Sequence, residues 1–209
     1  LKPGLKQLEE KTGIPVLGVL PYFKLNIPSE DSVSLEDKEA ERNEKGIEIA
    51  VIRLPRISNF TDFEPLEESA KIRYVELDED LGTPDAIMIP GTKNTVNDLL
   101  DLKESGMAGK IQAFKGKIPI FGICGGYQML AQVIDDQVET RKGRVPGLGL
   151  LPVEVSFADE KITAQTTYPW GVHEVHGYEI HHGVCTRVGQ AEPFLDGWQV
   201  GSTFGTMLH

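Results

Sequence analysis

Cys124 lies in the stretch Ile118-Pro119-Ile120-Phe121-Gly122-Ile123-Cys124-Gly125-Gly126-Tyr127-Gln128-Met129-Leu130, where a short β-branched apolar run meets a cluster of small residues. The run reads as a buried parallel strand, and the residues after the cluster have helical apolar spacing. Gly122 and Gly126 stand two residues before and two after the Cys, with Gly125 between. That is the composition of a sharp strand-to-helix turn, whose backbone angles a Cβ would obstruct. A thiol placed there faces the unpaired N–H groups of a helix start, which favour thiolate and so make a nucleophile near neutral pH. The Gly125 N–H would face an oxyanion formed by attack on a carbonyl. The plainer reading is a buried structural Cys in a tight α/β turn, and the choice depends on what the rest of the chain sets beside it.

The elements that must position this thiol alternate between strand and helix. Strands are expected at residues 47–54, 72–77, 86–90 and 118–123, with helical spacing at 96–102 and 107–114. The pattern predicts an α/β fold, a doubly wound and mostly parallel sheet of flavodoxin-like type. In such sheets ligands sit outside the carboxyl ends of the strands, where both Cys124 and the loop Pro90-Gly91-Thr92-Lys93-Asn94-Thr95 must lie. Gly91 permits close approach to a neighbouring site, and the N–H of Gly91 or Thr92 would supply a second oxyanion donor opposite Gly125; Thr92 or Asn94 would otherwise cap the next helix. After residue 147 the texture changes to Gly-Leu-Gly-Leu-Leu-Pro and short β runs at 153–157, 162–167 and 174–180, a β-rich C-terminal extension of mixed or antiparallel type.

Gly122-Ile123-Cys124-Gly125-Gly126-Tyr127-Gln128 resembles the nucleophile motif of class I glutamine amidotransferases, in the form found in cobyric acid and cobyrinic acid amidases. By that resemblance Cys124 attacks the side-chain amide of glutamine, and Gln128, one helical turn on, helps hold it. Gly205-Thr206-Met207-Leu208-His209 matches the family's Gly-Thr-aromatic-Leu-His except at Met207, which makes His209 the implied general base. As the last residue, with nothing after it, His209 is expected to lie loosely, and the carboxylate that other class I enzymes carry two residues after the His has no place here.

Other strings extend the resemblance to the cobyric acid synthases. Arg53-Leu54-Pro55-Arg56-Ile57-Ser58-Asn59-Phe60-Thr61-Asp62-Phe63 reads alone as a turn and a helix start capped by Thr61 or Asp62. As a string it resembles those enzymes and not the a,c-diamide synthases or cell-wall precursor amidases. Val138-Glu139, Gly147 to Pro152 and His176-Gly177-Tyr178-Glu179-Ile180-His181-His182-Gly183 belong to the same pattern. By resemblance Glu179 and His181 face a large acceptor or shape the site wall. Four histidines between 173 and 182 invite a zinc reading, but strand alternation sends His181 and His182 to opposite faces, and no metal is assigned.

Residues 1–45 differ in character. A helical pattern at 5–11 ends at Gly13, residues 14–21 read as a buried strand, and 26–46 have linker composition with an exposed helix around 35–44. This segment resembles the end of an ATP-dependent synthetase domain, so the expected division is 1–45 for that tail and linker and 46–209 for a glutamine amidotransferase domain truncated at its C-terminus. A first residue of Leu fits a piece of a longer protein. No Gly-x4-Gly-Lys-Ser/Thr occurs, so no cofactor is assigned to this chain, and ATP with magnesium is expected on the synthetase domain. The implied partners are glutamine, the corrinoid adenosylcobyrinic acid a,c-diamide and the chain's own N-terminal synthetase domain. A non-catalytic module of the same fold is the alternative from a different class.

The net charge of −11 argues against nucleic acid and anionic lipid as partners. Two cysteines make no disulfide framework and suit a reducing cytoplasm, and no apolar run approaches the ~20 residues that span a bilayer.

Overall fold

A computed structural model of the chain describes residues 2–19 and 46–209. Helix α1, Lys2–Thr12, ends at Gly13, whose φ of 69° is the left-handed geometry of a helix stop. The strand expected at 14–21 does not form over its described part: residues 14–19 are irregular, Ile14 and Leu17 are 67% and 97% exposed, and residues 20 and 21 lie outside the described residues. A strand needs a ladder partner, and among the described residues none pairs with this one. The helix expected around 35–44 lies outside the described residues.

The main sheet is built from β1 (Glu48–Ile52), β2 (Lys71–Val75), β3 (Ala86–Ile89), β4 (Ile120–Ile123), β9 (Glu192–Phe194), β10 (Gly197–Val200) and β11 (Thr203–Thr206), in the order β2-β1-β3-β4-β11-β10-β9. The first five are mutually parallel, and β10 and β9 close the edge antiparallel. The order 2-1-3-4 followed by a fifth parallel strand is the flavodoxin-like arrangement, but the fifth strand comes from the chain's end, after the whole β extension.

Alternation in β1 explains why both faces are covered. Ala50 and Ile52 join the large core with Ile87, Ile89 and Ile120, while Ile49 and Val51 join a second cluster with Phe63 and Ala70. Helices α2 (Thr95–Glu104) and α3 (Met107–Gln112) contribute Val96, Leu99, Leu102, Met107 and Ile111 to the large core, all at 0% exposure. The other cluster is covered by a 3-10 helix, Phe60–Glu68. Helix α4, Gly125–Leu130, follows β4 directly and is buried along its whole length.

The extension is a second sheet in the order β6-β5-β7-β8, from β5 (Val133–Asp136), β6 (Gly143–Pro146), β7 (Val153–Trp170) and β8 (His173–Arg187). The short runs read at 153–157, 162–167 and 174–180 are parts of one long hairpin, its ladder interrupted by a register shift between Phe157 and Ile162. The hairpin meets the end of the main sheet, because Tyr178 of β8 pairs its backbone with that of His209 in both directions, at 3.1 and 2.9 Å. No helix among the described residues is long and apolar enough to cross a membrane.

Candidate active site

Cys124 itself carries the unusual backbone at the turn. Its φ of 50° and ψ of −109° lie in a region where a non-glycine residue is strained by roughly 1–3 kcal/mol. The three glycines around it do not have positive φ, which corrects the reason expected for them. Gly126 is small because an added Cβ would collide with the carbonyl of Ile89 as α4 crosses β3, and one on Gly122 would meet the Gly126 backbone at 2.7 Å. Two hydrogen bonds hold the turn: the Cys124 N–H donates to the Thr206 carbonyl at 2.8 Å, and the Gln128 N–H donates to the Cys124 carbonyl at 3.0 Å.

His209 does not lie loosely. Its side chain is 1% exposed, and its Nδ1 lies 2.7 Å from Oδ2 of Asp62, which is 15% exposed. The Tyr178 ring stacks on the imidazole at 5.2 Å between centroids and 21° between planes. The approach to the residue is fixed as well: the half-buried Asp196 accepts hydrogen bonds from the Met207 N–H at 2.8 Å and from the Thr206 hydroxyl. A Cβ on Gly177 would meet the carbonyl oxygen of His209, so only glycine lets β8 pass this close. Burial alone would push His209 down; the Asp62 carboxylate first, and then the negative charge that the Cys124 sulfur can carry, outweigh that and raise it to about 9. Thus a thiol, an imidazole and a carboxylate converge, from the ends of β4 and β11 and from the first turn of the 3-10 helix.

Asp62 is therefore not the helix cap suggested by its local sequence, and neither is Thr61. The residue before the 3-10 helix is Asn59, in a left-handed conformation with φ of 53° and no side-chain cap bond. The signal for Asp62 was present in the Arg53 to Phe63 string, but its partner is 147 residues away.

The same string braces the loop after β3. The Ser58 N–H donates to the Gly91 carbonyl at 2.9 Å, and the Lys93 N–H donates to the Arg56 carbonyl at 3.0 Å, an antiparallel bridge centred on Ile57 and Thr92. In a trans peptide the N–H points away from the preceding carbonyl, so the Ser58 bond directs the Thr92 N–H to the opposite side. The Thr92 nitrogen would lie 3.2 Å from a Cβ on Gly125, whereas a Cβ on Gly91 would sit 3.0 Å from Cε1 of His209. Of the two amides considered, Thr92's is the one set beside Gly125. Asp98, fully buried in α2, locks the loop by accepting from the Thr92 hydroxyl and from Nη1 of Arg56, the latter at 2.5 Å. Asn94 caps α2, its side chain accepting from the Asn97 N–H at 3.0 Å.

These elements border a pocket of about 300 Å³ that reaches Cys124, Thr92, Gln128 and His209. This is the small end of ligand pockets, which span roughly 300–1,000 Å³. Gln128 is 2% exposed, its Oε1 accepting from the Thr95 hydroxyl at 2.8 Å, and its amide fills the space that a Cβ on Gly183 would need. His181 lines the pocket with Nδ1 2.8 Å from the Gly183 carbonyl; because a carbonyl only accepts, that nitrogen carries the hydrogen. Glu179 stands behind His181, accepting from Tyr168 at 2.8 Å and lying 3.3 Å from Nε2 of His181. His181 and His182 both border the pocket despite strand alternation. No group of three or more His, Cys, Asp or Glu side chains among the described residues is arranged to hold a metal. The other thiol, Cys185, is pushed well up by burial and is correspondingly inert.

Several known proteins are similar to this chain. A probable cobyric acid synthase of Methanosarcina barkeri is 68% identical over 225 aligned positions, which take in all of this chain and 46% of that protein. A cobyric acid synthase of Trichodesmium erythraeum is 44% identical, again over the whole chain and 46% of the relative. The chain thus spans about half the length of the curated relatives it matches. Among solved structures, a glutamine amidotransferase superposes with a TM-score of 0.62 at 22% identity over 77% of this chain and 89% of its own. PurLQS from Thermotoga maritima gives a TM-score of 0.57 at 18% identity over 78% and 87%. At those identities the likeness establishes the fold. Residues 48–209 match the CobB/CobQ-like glutamine amidotransferase domain over their full extent, and the chain belongs to that family.

Proposed function

We propose that residues 46–209 are the glutamine-hydrolysing part of a cobyric acid synthase, with Cys124 as nucleophile, His209 as its proton partner and Asp62 as the carboxylate that orients the imidazole. The observation that carries this reading is the convergence of those three side chains on one small pocket at the carboxyl ends of the parallel strands. The thiolate attacks the carboxamide carbon of glutamine, forming a C–S bond and an oxyanion that the N–H groups of Gly125 and Thr92 receive. Collapse breaks the C–N bond as His209 gives its proton to the departing ammonia. Water, deprotonated by His209, then opens the thioester and releases glutamate. Gln128, tied to Thr95, shapes the wall against which the substrate lies, and His181, braced by Glu179, forms the facing wall.

The pocket suits an amino acid and is too small for a corrinoid. The acceptor, adenosylcobyrinic acid a,c-diamide, therefore belongs to an N-terminal synthetase domain. There ATP and magnesium would activate its carboxylates, and ammonia from this site would amidate positions b, d, e and g. The test is Cys124→Ala in a protein of the relatives' full length. Glutamine-dependent amidation should disappear while amidation with ammonium salts stays within about threefold. Equal loss with both nitrogen donors would refute the division of labour.

A further inference from the structure

We infer that Glu139 is the receptor for the α-ammonium group of the substrate, so that this residue distinguishes an α-amino acid amide from other primary amides. The inference rests on the reading of the pocket as a glutamine site and goes on to ask how the far end of that molecule is recognised.

Glutamine presents its amide to Cys124 and must place a zwitterionic head elsewhere in the same cavity. An ammonium held inside a protein needs anionic or lone-pair acceptors, since without them its desolvation opposes binding. Among the described residues that line the pocket, Glu139 is the single carboxylate, in the company of Lys93, Lys161 and three histidines. Charge among these described residues therefore points to Glu139 as the anionic partner for the ammonium, while the cations provide for the α-carboxylate.

The loop that carries Glu139 is built to hold it. Asp136, at 0% exposure, accepts from the N–H groups of Val138, Glu139 and Thr140 at 3.0, 2.8 and 2.8 Å, and from the Thr140 hydroxyl. Three successive amides fixed on one buried carboxylate leave the backbone at Glu139 little freedom. Thr95, at the start of α2, lines the same pocket as Glu139, and Thr95 is the residue whose hydroxyl holds Gln128. Glu139 and the wall beside the reacting amide thus belong to one pocket lining.

A second observation comes from His182, whose Nδ1 is buried without a hydrogen-bond partner and whose ring, like the Lys161 ammonium, favours the charged form of Glu139. A buried polar nitrogen left unpaired costs stability in the absence of a partner. Either tautomer is answered by the head of an α-amino acid: a lone pair at Nδ1 by the ammonium, an N–H by the carboxylate.

The experiment measures binding of L-glutamine and of glutaramate, which is glutamine without its amino group, by calorimetry. The 209-residue chain is used with Cys124→Ala, which can hold the amide without consuming it, with and without Glu139→Gln. An ammonium–carboxylate hydrogen bond corresponds to roughly 10- to 100-fold in affinity. Glutamine should therefore bind the parent that much more tightly than glutaramate. Glu139→Gln should abolish the preference while leaving glutaramate affinity within threefold, and Glu139→Asp should restore part of it. Unchanged thermal unfolding of the variants would tie the effect to recognition. If Glu139→Gln retains the preference for glutamine, the inference is overturned and the glutaminase reading stands. If the parent binds neither compound, the glutaminase reading falls and this inference with it.

Discussion

Replacing Asp62 by Asn tests whether a carboxylate from the distant 53–63 segment orients the imidazole of His209. The substitution keeps size and removes charge. His209 Nδ1 lies 2.7 Å from Asp62, its side chain is 1% exposed, and the bond is charge-assisted while the imidazole is protonated. A hydrogen bond to a charged group contributes about 1.5–3 kcal/mol, which at 1.36 kcal/mol per tenfold is roughly 10- to 160-fold in rate. The loss should appear in kcat more than in KM, since Asp62 acts through His209 and does not line the pocket. The assay is glutamate release from the 209-residue chain across pH. His209 is raised to about 9 from an ordinary 6.5, so the imidazolium that protonates ammonia persists to about pH 9 in the parent. In the variant the alkaline limb should move toward 6.5. Stability must follow the same sign. Because the folded value is the raised one, the contribution from Asp62 is complete below about pH 6.5 and is lost as pH rises through about 9. Parent and variant should differ most in unfolding free energy near pH 6 and converge above 9. A variant with kcat within threefold of the parent and an unmoved alkaline limb would refute the assignment.

Gly177→Ala should displace the end of the chain, because the added methyl meets the His209 carbonyl and lies 2.8 Å from the Leu208 side chain; a fall in glutaminase kcat of at least tenfold, with Tm lowered by several degrees, is the expected result. Alkylation by iodoacetamide at pH 7.5, followed by mass spectrometry, should modify Cys124 well before Cys185, because burial keeps the latter a thiol. His209→Ala should slow the Cys124 reaction by removing the imidazolium beside it, and equal rates for the two thiols in the parent would count against a paired nucleophile.

What could be read along the chain was whatever local pattern controls. The parallel strands at 48–52, 71–75, 86–89 and 120–123 announce themselves as β-branched runs, and their elements fall within a few residues of the expected bounds. Cys124 is legible for the same reason, since Gly122 and Gly126 must be small whatever else the fold does. The local rule nevertheless assigned the wrong cause, giving the glycines a conformational role that Cys124 itself takes. Residues 14–19 show the converse error, an apolar run read as a strand in a segment that has no ladder to join among the described residues. The fifth parallel strand escaped notice because Thr203–Thr206 is short and enters the sheet some eighty residues after its neighbour β4. Asp62 was hidden by the same distance: a carboxylate near a helix start has a sufficient local explanation, and nothing in its neighbours points to residue 209.

That hidden contact changes how the site is understood. Within seven residues, from Arg56 to Asp62, the chain bridges the loop that carries Thr92 and then holds the imidazole of His209. The proton partner and the Thr92 N–H are therefore referred to one short segment, not to two independent elements. The bridge is made by backbone hydrogen bonds from Ser58 and to Arg56, which no side-chain rotamer can alter, and its far side is anchored by Asp98 at 0% exposure. Such an arrangement holds the distance between base and oxyanion donor through stiffness of the main chain, so reorganisation during reaction is small. It also makes the two functions separable by mutation at different depths: loss of the Asp62 side chain removes the orienting charge and leaves the bridge intact. The kcat deficit of Asp62→Asn should therefore appear without a change in the oxyanion loop, and a shift of the Thr92 or Gly125 amide resonances in that variant by NMR would show that the segment moves as one piece.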